Sequence, residues 1–354
     1  MKIVKRILKG IGIVISIVVI YLLFVTFGPG FSVPEQPLKK ETQLSEEVKV
    51  KPAVSRKDVR FKIKGSSVSA WLYLPENLST LVPCIIMETG FGGTKDFQIM
   101  EAFAIRFQEA GFAVLTFDHR YTGESEGEPR QLIWIPDQLE DLTGAVEFVR
   151  GLKEIDPAKI ALWGTSLGGG HVMVTAAKDH NIACVVAQCP GLDGSAGGDM
   201  FLKREGIGHA LRLIVHGQRD MARYRLGLSP HKIPIVGKPG SIAFSTTADA
   251  YNFYSKVAPE NYINEACARV ILRANLYRPV KHARTVRCPV LLQICENDSL
   301  VPISAIEETA KILGKYAEVK RYPIGHFDIY FGENFEKSVS AQLEFFKRHL
   351  NKMP

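Results

Sequence analysis

The residues in this 354-residue chain that most clearly point to chemistry are Gly164-Thr165-Ser166-Leu167-Gly168, a G-x-S-x-G pentad. It follows the apolar run 160–163 and precedes a helical pattern over 172–178. A tight strand-to-helix turn holds such a serine in a strained conformation with its hydroxyl exposed, and side chains at the flanking positions would collide with neighbouring backbone. A serine hydroxyl is a weak nucleophile at neutral pH, so a base must take its proton and an acid must orient the base. On a turn of this kind the partners follow in the order acid, then histidine. The best-placed acid is Asp298, just past the apolar run 290–294, at the strand end where α/β sheets bind ligands; Glu296 is the fallback. The best-placed base is His326, in Gly325-His326-Phe327, between a short strand-like segment and the last helix. The other eight histidines fall before Asp298 or in a charged C-terminal helix. The tetrahedral intermediate of acyl transfer needs two backbone donors. Leu167, after the nucleophile, offers one, and Phe91, in Glu88-Thr-Gly-Phe-Gly-Gly93, offers the other. Asp118 and Gly123 read as structural, a strand end and a turn bracing the nucleophile loop.

The elements around these residues predict an α/β class. Segments 59–64 and 68–74 alternate in polarity around Gly65-Ser66-Ser67, as an antiparallel hairpin does. Then come short continuous apolar runs at 84–87, 113–117, 160–163, 182–187 and 290–294, separated by amphipathic helical segments such as 98–110 and 138–152. Runs of that kind are parallel strands covered on both faces. Residues 194–284 break the rhythm, are more basic and aromatic, and read as a cap inserted over the sheet. Its Tyr251, Phe253, Tyr254, Tyr262 and Tyr277 are expected to form the core of the cap before they form a substrate box.

A hydrophobic fraction of 46% and a charged fraction of 23% exclude a disordered or collagen-like chain. The six cysteines include no C-x-x-C pair and are read as buried thiols, not as a disulfide framework or zinc ligands. Of the net charge of +7, residues 1–40 carry six Lys/Arg against one acid, leaving +2 for the rest. That distribution argues against a nucleic-acid partner, which needs a basic patch on the folded domain. No feature of the sequence specifies an oligomeric state.

No charge occurs over 10–34, and 10–27 is almost wholly apolar. Eighteen residues span roughly 27 Å at about 1.5 Å per residue, close to the hydrocarbon thickness of a bilayer. The reading is a single-pass anchor over 10–27 after a basic cytoplasmic segment 1–9. Lys2, Lys5, Arg6 and Lys9 hold the N-terminus inside and send the catalytic domain across. A cleaved signal peptide with secretion is the alternative, disfavoured by the Pro and Phe around the small residues at 26–30. Residues 28–57, with four prolines and no periodicity, read as a stalk ahead of a domain over 58–354.

Residues 58–354 resemble the serine hydrolases of the α/β-hydrolase fold. The segments Gly90-Phe-Gly-Gly-Thr-Lys-Asp96, Phe117-Asp-His-Arg-Tyr-Thr-Gly-Glu-Ser-Glu-Gly-Glu-Pro-Arg130, Trp163-Gly-Thr-Ser-Leu-Gly-Gly-Gly-His171 and Gly325-His-Phe-Asp-Ile-Tyr330 are similar to one branch. It holds the X-Pro dipeptidyl-peptidase-like and acetyl-xylan-esterase-like hydrolases and the polyketide thiohydrolases and acyltransferases. The resemblance implies a mostly parallel sheet with helices on both faces, Ser166, Asp298 and His326 acting together, no cofactor, and a small acyl substrate. Two departures stand out: Thr89-Gly90 replaces the His-Gly of many esterase oxyanion loops, and Phe91 replaces a tyrosine of some X-Pro peptidase relatives. These favour ester or thioester cleavage over peptidase activity. Acyl transfer by the same residues is the nearest alternative. A non-catalytic binding module is a third, opposed by three filled positions in the right order.

Overall fold

The computed structural model describes residues 2–38, 55–76 and 81–350. Eight strands form one sheet in the order β1-β2-β4-β3-β5-β6-β7-β8. The hairpin β1 (Arg56–Ile63) and β2 (Ser66–Tyr73) pairs antiparallel and lies antiparallel to β4 (Ala113–Phe117). From β4 across β3 (Val82–Glu88), β5 (Ile155–Thr165), β6 (Cys184–Gln188), β7 (Val290–Cys295) and β8 (Ala317–Tyr322) all pairs are parallel. The predicted apolar runs are these strands, and β4, β6 and β7 are buried at every residue. The run expected at 182–187 starts two residues later and ends at Gln188.

Each face of the sheet carries its own core. One packs Leu142 of α3 (Ile135–Arg150), Val172 of α4 (Leu167–Lys178) and Ile306 of α7 (Ile303–Leu313) on the strands. The other packs Phe103 of α2 (Gln98–Glu109) and Phe346 of α8 (Gly332–Leu350). Gln342 is buried in this second layer, and its amide is fully used: Trp163 Nε1 donates to it at 3.0 Å, and it donates to Gln188 and Gln293. A buried amide costs little when each polar atom is paired in this way. All six cysteines are buried and none is in a disulfide.

The chain leaves β3 toward β4 and leaves β5 toward β6, so the connections after these two paired parallel strands run to opposite sides and open a crevice at their carboxyl ends. Both the Gly90 loop and Ser166 lie at that crevice. Between β6 and β7 the chain forms α5 (Gly194–Arg225), kinked at Gly206, and α6 (Ala248–Val257), with Lys232–Ile233 paired to Ala266–Cys267. These lie where the cap was expected.

Helix α1 (Lys2–Phe27) begins earlier than the apolar stretch itself. Within its segment Ile3–Phe27 the most apolar 18-residue window has a mean hydropathy of 2.7 and is mostly unburied, so the helix is long and apolar enough to cross a membrane, as a signal sequence also is. Its end is held by α5: Arg219 donates to the carbonyls of Val25 and Gly28, and Tyr21 bonds Gln218. Of the expected stalk, 39–54 lie outside the described residues. Residues 28–38 run along the insertion, where Tyr251 donates to the Pro37 carbonyl at 2.7 Å and Asn264 to that of Gln36 at 2.8 Å.

Candidate active site

Ser166 sits between β5 and α4 with φ 53° and ψ −120°, a conformation costing about 1–3 kcal/mol that the surroundings must impose. They do so through the two motif glycines. A Cβ on Gly164 would lie 2.4 Å from the Gly168 carbonyl oxygen, and one on Gly168 would lie 2.3 Å from that of Thr89. The pentad thus wedges against the end of β3, and only hydrogens fit in the wedge.

His326 Nε2 lies 3.2 Å from Ser166 Oγ, and His326 Nδ1 lies 2.6 Å from Asp298 Oδ2. The other Asp298 oxygen accepts from the backbone N–H groups of Leu300 and Val301 at 2.8 and 2.7 Å, which fixes the carboxylate plane. His326 is 1% exposed. Burial opposes its imidazolium, but the adjacent Asp298 carboxylate outweighs burial and holds the His326 pKa well above the ordinary value. Glu296, the fallback acid, lies on the surface and pairs with Arg321 at 3.3 Å. Thr165 Oγ1 bonds the Tyr330 hydroxyl, joining the residue before the serine to the turn after the histidine.

Leu167 opens α4, so its N–H is one of the unpaired donors of a helix N-terminus. The Gly90 loop packs over the serine, with a Cβ on Gly90 falling 3.4 Å from Ser166 Cβ. Phe91 follows directly, its carbonyl held by the Tyr254 hydroxyl at 2.5 Å and that of Gly92 by Tyr262 at 3.1 Å. These tyrosines therefore serve the loop as well as the core of the insertion. Tyr277 binds His171 at 2.7 Å instead.

Two buried charge clusters brace this loop, and the sequence reading did not single out their members as partners. Lys95 is 1% exposed and pairs with Asp118 at 2.9 Å and Glu124 at 2.6 Å, while its N–H donates to Asp118. Asp118 therefore braces the 90–97 loop and not, as expected, the nucleophile turn. Gly123 is required there, because its Cβ would lie 2.3 Å from the Asp118 carboxylate. Below it, His119 bridges Glu88 at 2.5 Å and Asp141 at 3.2 Å. Burial pulls the His119 pKa down, but Glu88 and Asp141 push it up to about 10. Among the described residues no three His, Cys, Asp or Glu side chains converge as metal ligands.

Residues 83–333 match the profile of the alpha/beta hydrolase fold family. The chain belongs to that family. It is 39% identical to the quorum-quenching protein AidA of Acinetobacter baumannii over 293 residues, which cover 82% of this hydrolase-fold chain and 94% of AidA. It is 25% identical to the thiohydrolase aneE of Aspergillus aculeatus, covering 80% and 90% of the two chains. The solved alpha/beta hydrolase GrgF from Penicillium superposes with a TM-score of 0.72 at 27% identity, covering 84% of this chain and all of GrgF. Relatives in this family are thus named as hydrolases and, in fungi, as polyketide transferases.

Proposed function

We propose that this chain is a serine hydrolase that cleaves an ester, thioester or amide through an acyl-enzyme, held at a membrane by α1. The reading is carried by one observation, the relay Ser166 Oγ to His326 Nε2 at 3.2 Å and His326 Nδ1 to Asp298 at 2.6 Å. Ser166 attacks the carbonyl carbon as His326 takes its proton. The oxyanion is held by the N–H groups of Phe91 and Leu167, and the protonated imidazole, fixed by Asp298, passes its proton to the leaving group. Water then repeats the sequence on the acyl-enzyme. The relatives named as hydrolases support this reading, and the thiohydrolase name extends it to thioesters.

The deciding experiment is fluorophosphonate labelling of the detergent-solubilised full chain beside Ser166→Ala, with ester turnover on the same preparations. Labelling and turnover are lost together in the variant if Ser166 is the nucleophile; substantial activity in a folded variant refutes the assignment. The relatives named as polyketide transferases favour acyl transfer as a second reading, separated by product analysis with a competing alcohol or amine. For the anchor, the intact mass of the purified protein retains residues 1–27 and alkaline carbonate leaves it in the membrane fraction; a mature chain lacking them means a cleaved signal.

A further inference from the structure

Two compartments of different shape flank the nucleophile turn 166–167. On one side is a cavity of about 80 Å³ that Ser166 and His326 both line. Its far walls are Phe97, Met100, Ile235, Ala250, Phe253 and Tyr330, each less than a tenth exposed, so it is a blind apolar pocket. On the other side is a cleft of about 630 Å³. Its outer wall includes Leu202, Ile207 and Ile214 of α5 with Leu276, all more than a third exposed, while Leu167 lines its inner end. Phe91, Ser245 and Leu300 line both spaces, which therefore adjoin beside the nucleophile turn, with Ser166 on the wall of the first and Leu167 on that of the second.

The volumes set the size of what can enter. A dry cavity of about 150 Å³ is filled by benzene, so about 80 Å³ holds roughly three or four non-hydrogen atoms. The order of bond breaking then assigns the two sides. When the tetrahedral intermediate collapses, the carbonyl carbon keeps its bond to Ser166 Oγ and the bond to the leaving group breaks, the proton on His326 going to that group. The leaving group must depart, and water must enter, while the acyl part is still attached. A group in the blind pocket has no exit at that stage, whereas one in the open cleft does.

We infer that the substrate joins a short acyl group of about two to four carbons, seated in the blind pocket, to a bulky apolar alcohol or thiol seated in the cleft. This rests on the reading of Ser166 as nucleophile. The products are the short carboxylic acid and the free alcohol or thiol, with one water consumed and Ser166 restored.

The test uses the full chain in detergent with p-nitrophenyl acetate, butyrate, hexanoate and octanoate, which share one leaving group. kcat/KM is highest at acetate or butyrate and falls at least about tenfold by hexanoate, where an added methylene has no room. Met100→Ala, which deepens the pocket, moves the optimum toward hexanoate. Ala250→Val, which shallows it, narrows the preference to acetate and serves if the first variant does not fold. For the other side, 2-naphthyl acetate outruns phenyl acetate about fivefold, the two leaving groups being of similar acidity, and Ile214→Glu removes that advantage. A flat or rising series to octanoate, in protein that still labels with fluorophosphonate at Ser166, overturns the short-acyl assignment and leaves the nucleophile standing. Folded protein that neither labels nor turns over any ester brings down both.

Discussion

The hydroxyl of Tyr254, on the insertion, donates to the carbonyl oxygen of Phe91 at 2.5 Å, and the residue that gives this bond also lines the pocket beside Ser166. Burial keeps the Tyr254 pKa raised, so the hydroxyl stays protonated and remains a donor. The insertion thereby fixes the peptide that follows Phe91, the residue whose N–H is proposed as an oxyanion donor. Tyr254→Phe removes one neutral hydrogen bond of about 1 kcal/mol. We expect kcat to fall about fivefold with little change in KM, measured by steady-state ester hydrolysis; an equal rise in KM with constant kcat would assign Tyr254 to substrate binding instead.

Asp298 both orients His326 and raises its pKa. A general base must be neutral to act, so kcat/KM rises with pH through the His326 pKa, and the raised value puts that limb above the unperturbed pKa of about 6.5. Asp298→Asn keeps the size of the side chain and removes the charge. The expected result is a kcat reduced by about three to four orders of magnitude, with the midpoint of the residual limb moved to lower pH. A profile from about pH 5 to pH 10 checks both; an unmoved midpoint would deny Asp298 the electrostatic part of its role.

Gly168 closes the wedge between the nucleophile turn and β3. Gly168→Ala places a methyl 2.3 Å from the Thr89 oxygen and 2.6 Å from that of Glu88, against backbone that cannot rotate aside. Forced backbone shifts of this kind cost about 1–3 kcal/mol. Activity should fall more steeply than stability, because Thr89 leads into the loop over the serine. Gly208→Ala, on α5 where a Cβ meets nothing within 4 Å, is the matched control and should lower neither the thermal unfolding temperature nor turnover.

His119 is charged and buried between Glu88 and Asp141. Its folded pKa of about 10 lies above the unfolded value, so its stabilising contribution is complete below about pH 6.5 and is lost as pH rises toward 10. His119→Leu leaves Glu88 buried beside no cation and should cost about 3 kcal/mol or more at neutral pH. Denaturant unfolding of the full chain at pH 6 and pH 9 tests the sign against His119→Leu/Glu88→Gln, which also removes the buried carboxyl whose pKa burial raises: the wild-type advantage over that double variant shrinks at the higher pH, and an advantage that grows would refute the charged state.

Much of this architecture is local in origin and therefore legible in the chain. Strand runs, the hairpin at Gly65, and the turn at Gly164–Gly168 follow from side-chain periodicity and from the steric demands of a few adjacent residues. The order of Ser166, Asp298 and His326 is equally a property of the sequence, because all three stand at carboxyl ends or exits of strands whose runs are visible. The tertiary structure decided what depends on distances between residues far apart in sequence. It brought Ser166 and His326, 160 positions apart, to 3.2 Å. It turned Asp118 toward Lys95 and away from the nucleophile turn, buried His119 between two carboxylates, and laid residues 28–38 along the insertion. A lysine, a histidine or a proline-rich segment reads alike in a buried network and on a surface; only packing removes the water and so assigns the partner. The two compartments beside Ser166 belong to the same category, because their volumes are what remains after segments far apart in sequence have packed around the nucleophile turn.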